Sequence, residues 1–376
     1  MNYIIPCTIM RGGTSKGIYL LEKDIPPVGE ERDALLLRLM GSPDLKQIDG
    51  LGGAQSVTSK VAIIAPSKRE DADVDYTFAQ VSVDKPVVSY AGNCGNISSG
   101  VGPFAVESGL VAAGQTTTSI RIYNTNTNKL MLENVQTPNG KITYEGDYAI
   151  AGVPGTAAPV KVMVVEPAGT VFPSLLPTGN KVDTLEVKGF GEIEVSIVDA
   201  SNPLVFIRAK DIGLNGTELP PDIDGDPHML YLLESIRGET AKLLGLVEDA
   251  SEAATRTPGI PKMTIVCEAV DYVTASGEHI ASEAIDLSSR MMSMQKAHPT
   301  YAMTGAMCTA AAAVIPGTIV NQVKRSDALP DRLRIGHPGG ILEAGVDYTK
   351  SADNIHIQYA YGYRTARLLL KGMACC

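Results

Sequence analysis

Apolar and polar positions along this chain fall mostly into short strands and turns, with a few stretches of helical period between them. ERDALLLRLMG puts Leu35, Leu36, Leu39 and Met40 on one stripe ahead of Gly41, which predicts a helix ending at that glycine. VAIIAP, DYTFAQVSV and SIRIYNT read as strands, as does a pair around the Asn139-Gly140 turn. The second half repeats the style with TLEVKG, EIEVSIVDA and LVFIRA, a helix near MLYLLESIRGETAKLLG, and the strand MTIVCEA. Each half also holds a helix of small residues, one over 97–109 and one over 305–317. The second of these, GAMCTAAAAVIPG, has no polar face and is expected to be buried all round. A cysteine leads each helix, Cys94 and Cys308. The two halves therefore read as like domains, each a central helix wrapped by strands.

Length agrees with that division. A chain of 376 residues exceeds one typical core. The proline- and glycine-rich stretch 152–180 is the expected border, giving domains 1–180 and 181–376. Cysteines 7, 94, 267, 308, 375 and 376 are scattered without paired spacing, so free thiols and a cytoplasmic location are expected. MNYIIPCTIMRGG lacks the plan of a secretion signal, and no apolar run is long enough for a membrane helix.

Charge narrows the class of partner. A net charge of -10 argues against non-specific nucleic-acid binding, and 5% aromatics argue against a base-stacking surface. Neither excludes an anionic substrate, because a few cations and backbone N–H groups can oppose the global sign locally. The five histidines show no metal-ligand spacing.

The richest stretch for chemistry is AGNCGNISSGVGPFAVESG, 91–109, with Cys94 at a strand-to-helix turn. The first turn of a helix favours a thiolate and offers N–H groups to an anion. The other reading is a small buried residue in a tight turn. MRGGTSKG, 10–17, gathers Thr14, Ser15 and Lys16 beside two glycines and can hold a carboxylate, or can be a plain glycine turn. KQIDGLGGAQSVTSK, 46–60, ends in Ser59 and Lys60; Lys60 is either a solvated strand-end charge or, in a dry cleft, a proton carrier. Asp49 is a candidate partner or a turn residue. RIGHPGG, 334–340, combines Arg334 and His337 in a strand-to-turn segment.

MRGGTSKG, GSPDLKQIDGLGGAQSVTSK, DADVDYTFAQVSV, GNCGNISSGVGPFA, VSIVDASNP, IPGTIVNQV and RIGHPGG, in this order, resemble the PrpF family of cofactor-independent isomerases. The resemblance implies an α+β, diaminopimelate epimerase-like fold. In it, two similar domains each wrap a mixed barrel-like sheet around a central helix, the active site lies between them, and the C-terminal end returns to the first domain. It implies Lys60 and Cys94 as the catalytic pair; beside them the residues themselves offer Thr14, Ser15, Lys16, Asp49, Ser59, Gly95, Asn96, Cys308, Arg334 and His337 as substrate-binding candidates. No metal and no organic cofactor are implied. The implied substrate is a small unsaturated di- or tricarboxylate, 3-methylitaconate/2,3-dimethylmaleate first, with 2-methylaconitate, 4-oxalomesaconate or aconitate as alternatives. A homo-oligomer is expected. More distant readings are a racemase using Cys94 and Cys308 as paired thiols, or a non-catalytic partner of a dehydratase.

Overall fold

The structure, a computed structural model, describes residues 4–90, 94–351 and 354–376. The leading Ala91–Asn93 of the cysteine stretch lie outside the described residues. The chain divides into two compact units, Met1–Val165 with Tyr363–Cys376, and Glu166–Gly362. The change of unit thus falls at 165/166, inside the stretch 152–180, rather than at 180. That stretch is not all loop, because it contains a strand, 159–165, whose partners are in the first unit.

The first unit runs β1 (Ile4–Gly12), β2 (Ser15–Leu21), α1 (Glu30–Met40), β3 (Lys60–Pro66), β4 (Val74–Val81) and β5 (Val88–Ser89). It continues with α2 (Gly95–Ser98), α3 (Val101–Glu107), β6 (Thr117–Asn124), β7 (Lys129–Gln136) and β8 (Pro159–Val165). Strand pairs follow as β1–β2 antiparallel, β2–β3 parallel, β3–β4 antiparallel, β4–β6 parallel, β6–β7 antiparallel and β7–β8 antiparallel. The final strand of the chain, Asn354–Cys375, pairs with β1 and also with β8, which closes the order into a ring. Inside it, α2 packs on β1, β2 and β3, and α3 on β3, β6 and β7. Outside, α1 lays Leu35, Leu36, Leu39 and Met40 over Ile18, Leu20, Val61 and Ile63. Full burial of each such side chain contributes roughly 1.5–3 kcal/mol. Helices on both sides explain why Lys60–Ile64 are buried at successive positions instead of alternating.

Two expectations change here. The helix expected over 97–109 is two short pieces, α2 and α3. Ser98 and Ser99 hydroxyls bond the carbonyls of Gly95 and Asn96, Tyr19 Oη donates to Ile97 O at 2.5 Å, and Gly100 N also turns to Ile97 O. Those donors compete with the i→i−4 ladder and end the first piece. The hairpin expected at Asn139-Gly140 does not form. Both edges of β7 are already paired, to β6 and β8, so the residues after the turn keep only one backbone bond to its end, Thr143 N to Gln136 O, and form no ladder there.

The second unit runs β9 (Asp183–Val187), β10 (Gly191–Asp199), β11 (Pro203–Arg208), α4 (Pro220–Asp224), α5 (Pro227–Leu243), α6 (Ala253–Arg256) and β12 (Lys262–Cys267). Then come β13 (Tyr272–Val273), β14 (His279–Ile280), β15 (Leu287–Ser293), β16 (Lys296–Ala297), α7 (Met303–Val314) and α8 (Ile319–Val323). It ends with β17 (Leu333–His337), β18 (Gly340–Ser351) and the first part of β19 (Asn354–Cys375). From β10 onward the pairs are β10–β11 antiparallel, β11–β12 parallel, β12–β15 antiparallel, β15–β17 parallel, β17–β18 antiparallel and β18–β19 antiparallel. This is the first unit's series of senses, in the same order. The surface helices α1 and α5 enter at the same point of the series, as do the buried ones, α2–α3 and α7. Two like units are therefore real at the level of topology. Among the described residues no helix is long and apolar enough to cross a membrane.

Candidate functional site

The loop joining β1 to β2 meets the start of α2 so closely that only glycine fits. A Cβ on Gly13, whose φ is +52°, would lie 2.2 Å from Asn96 Oδ1, and one on Gly12 would lie 2.4 Å from Asn96 O. Gly17 is wedged in the same way: a Cβ there would sit 2.9 Å from both Ile97 Cδ1 and Lys60 O. MRGGTSKG, the TSK segment and the GNCGN helix start are thus brought to one place by backbone contact. Asn96 Nδ2 donates to Thr14 Oγ1 at 3.0 Å, tying the exposed loop tip to that helix.

Cys94 is the residue just ahead of α2, extended at φ −121° and ψ 99°, with its carbonyl accepting from Ser98 N. Its thiol is free and half-buried. A helix of four residues has the field of one turn and no more, so the electrostatic help expected for a thiolate rests on nearby N–H groups. Burial first, and then the neighbouring Glu133 and Cys94, hold the Tyr19 hydroxyl well above its ordinary value, so it stays a neutral donor to Ile97 O.

Lys60 opens β3 between Gly17 and Gln80 and is only 8% exposed. Its Nζ donates to Gln80 Oε1 at 2.6 Å and stands 5.1 Å from the centre of the Phe78 ring. Gln80 is held for this contact, because its amide nitrogen donates to Ser59 O and Ser56 O. Among the described residues no carboxylate pairs with Lys60, so the solvated strand-end reading is set aside. A buried cation without a counter-ion is costly, and a contact to an aromatic face offsets only about 0.5–2 kcal/mol.

Several candidates have other work. Ser59 is fully buried, donates to Val81 O and accepts from Gln47 Nε2, so it pins the loop before β3. Asp49 is exposed and paired with Arg38 at 2.8 Å. Arg334 forms a bidentate pair with Asp286 and donates to Glu283 O, which commits its fork. His337 is 1% exposed and accepts from Gly339 N through Nδ1, holding the turn after β17. Cys308 does not lead its helix. It is the sixth residue of α7, fully buried, and donates to Val198 O at 3.3 Å, with burial pushing its thiol well up. The position matching Cys94 is near Ala302, the residue ahead of α7. A second thiol in the equivalent place is therefore missing, which removes the paired-thiol racemase reading.

Thr14, Lys16, Gly95 and Asn96 remain candidates, Thr14 exposed and the other three half-buried. Ser15 is buried at the start of β2. Two further residues join them, Gln80 and Arg364. Arg364, on β19, is 7% exposed and donates from Nε to Asn96 Oδ1 at 3.3 Å. Its run AYGYRTA is an arginine among small and aromatic residues, a signal of burial that strand alternation alone leaves ambiguous. Among the described residues no His, Cys, Asp and Glu side chains group as metal ligands would.

Beneath the site, Glu133 of β7 is fully buried, with Oε2 accepting from Gly102 N of α3 at 2.8 Å. Burial pushes its carboxyl up from 4.5 to about 8, against the opposing effect of the Gly102 N–H. The folded protein thus holds a proton that the unfolded chain releases. Stability from this group is complete below about 4.5 and is lost as pH rises through about 8. Glu133→Gln keeps an acceptor for Gly102 and should flatten that fall, read as melting temperature against pH for both proteins. A parallel fall in the variant would refute the assignment.

These features have close relatives. A 3-methylitaconate isomerase of Eubacterium barkeri is 48% identical over 369 residues, 98% of this chain and 96% of that protein. A 2-methyl-aconitate isomerase of Shewanella oneidensis is 40% identical, over 98% of this chain and 96% of its own length. The crystal structure of a methylitaconate-delta-isomerase superposes with a TM-score of 0.93 at 47% identity, covering 100% of this chain and 96% of that one. A hydroxyproline epimerase from Agrobacterium vitis, at TM-score 0.53 and 12% identity over 99% and 92% of the two chains, shares the fold alone. The architecture is thus the epimerase-like α+β fold. The family described as PrpF protein matches residues 2–375, and the chain belongs to that family.

Proposed function

We propose that this protein is an isomerase that moves a proton across the allylic unit of a small unsaturated dicarboxylate, interconverting 3-methylitaconate and 2,3-dimethylmaleate. The observation that carries the reading is Lys60: a buried ammonium with no carboxylate partner among the described residues, brought by Gly17 against the helix that Cys94 begins. The near full-length identity to a 3-methylitaconate isomerase supports the choice of substrate.

In one direction, a base takes the proton from the carbon that bears the methyl and carboxylate groups. The electron pair left behind spreads into the carboxylate on that same carbon and across the double bond to the methylene carbon, as a dienolate. An acid then returns a proton to the methylene carbon, which becomes a methyl group. Lys60 and Cys94 share these transfers, one as base and one as acid, and exchange roles when the reaction reverses. Stabilising the dienolate is the larger demand, and preorganised donors meet it best. The N–H groups at Gly95 and Asn96, the Thr14 hydroxyl and the Lys60 ammonium supply them. The substrate is its own electron sink, so the transfer needs only these side chains.

The test is proton NMR in deuterium oxide with the purified protein alone and a panel of unsaturated carboxylates. The expected result is interconversion of 3-methylitaconate and 2,3-dimethylmaleate with deuterium entering the allylic positions. Turnover of 2-methylaconitate in its place would move the protein to the branch of its 40% identical relative. No exchange with any member of the panel would overturn the reading.

A further inference from the structure

Arg364 is a strongly charged group bonded to Asn96 that neither the sequence motifs nor the proposed proton transfer uses. It is 7% exposed, yet no carboxylate lies within ion-pairing distance of it among the described residues. Its contacts are two neutral oxygens: Nε donates to Asn96 Oδ1 at 3.3 Å and one terminal nitrogen donates to Tyr363 O at 2.9 Å. Burial lowers the guanidinium to about 10, so it stays charged at neutral pH. An arginine has five N–H donors in a planar fork, and two neutral acceptors do not complete such a group.

The other buried arginines of the chain are treated differently. Arg237 pairs with Glu234, and Arg32 with Glu22. Arg290 also lacks an acid; it spends Nε and one terminal nitrogen on the carbonyls of Glu218, Ser289 and Gly336, away from Asn96, and its other terminal nitrogen has no partner. Arg364 alone of the four is both short of an acid and joined to the residues around Cys94. Asn96 is the link, since its amide oxygen accepts from Arg364 while its amide nitrogen donates to Thr14. Removing a cation from water without a counter-ion is costly, and a carboxylate arriving with the substrate relieves that cost. The planar fork suits a carboxylate bidentately.

We infer that Arg364 is the anchor for a substrate carboxylate and sets the preference of this site for di- and tricarboxylates over monocarboxylates. The inference rests on the isomerase reading for the substrate class, but it concerns binding, so it can be tested without turnover.

The probe is tricarballylate, a saturated tricarboxylate with no double bond to move, titrated calorimetrically against the full chain, with butyrate as the monocarboxylate control. Arg364→Met should weaken tricarballylate by about 30-fold or more, as expected for loss of a buried charged partner, and leave butyrate unchanged. Millimolar methylguanidinium should restore part of the loss, which a merely structural role would not allow. Arg364→Lys keeps the charge without the fork and should fall between; it also decides the matter if the methionine variant does not fold. Unchanged tricarballylate affinity in a folded variant overturns the inference, as does a wild-type chain that does not bind it. Wild-type binding without turnover of any unsaturated acid would instead sink the isomerase reading and leave the anchor in place.

Discussion

Cys94→Ala should lose isomerase turnover by about 10²–10⁴-fold, the usual contribution of one positioned acid or base, with the Michaelis constant little changed. The side chain is half-buried just ahead of α2, so its loss removes few contacts and the variant should fold. Exchange of allylic protons in deuterium oxide should fall with turnover, because the thiol acts on the proton and not on the grip of the substrate. Cys308→Ala in the same assay should keep turnover, since that thiol is packed inside α7 against Val198 O. Near-normal turnover by the Cys94 variant would end its assignment as a proton carrier. Loss of turnover in the Cys308 variant, with folding intact, would reopen the paired-thiol reading.

Lys60→Met separates chemistry from stability. Turnover should fall by a similar 10²–10⁴-fold, while the melting temperature holds or rises. The ammonium is buried beside Phe78 and Gln80 with no carboxylate partner among the described residues, so replacing it with an apolar chain of like length relieves a desolvation penalty. Leaving Gln80 Oε1 unpaired opposes this by about 1–3 kcal/mol. Lys60→Arg should not restore activity, because a guanidinium cannot give up its proton near neutral pH. A Lys60→Met protein that turns over normally, or one that loses activity only by unfolding in a thermal scan, would remove lysine from the mechanism. Sites that store such a penalty commonly trade stability for function.

Much of this was legible in the residues. Strand and helix periods located β3, β4, β6, β7, β9 to β12, α1, α5 and α7, but β1, β2, β8, β15, β18 and β19 were not read as strands; the glycine-rich segments around Thr14, Lys60 and Cys94 do converge. What could not be read was the partner of each polar side chain. Arg334 looks available in RIGHPGG, but its acid, Asp286, is 48 positions away. Cys308 looks like Cys94 until the carbonyl 110 positions earlier is placed against it. Serine and tyrosine hydroxyls that break one helix at Ser99–Gly100 have no signature in helical period. Arg364 was missed for a related reason. On a strand, an arginine faces water or the interior according to which strands flank it, and that depends on ring closure between residues at opposite ends of the chain.

That closure also orders events in time. β1 begins at Ile4, and its partner β19 ends at Cys375, so a strand made early waits for one made more than 350 residues later. Loop closure over such a span is among the slowest steps in folding, and it comes after the second unit, contained within residues 166–362, has everything it needs. During synthesis the second unit can therefore mature first, while the unit bearing Lys60 and Cys94 stays an open sheet with β1 unpaired on one edge. Only synthesis through β19 supplies the strand that seals it and delivers Arg364. An incomplete chain is thereby denied a finished site.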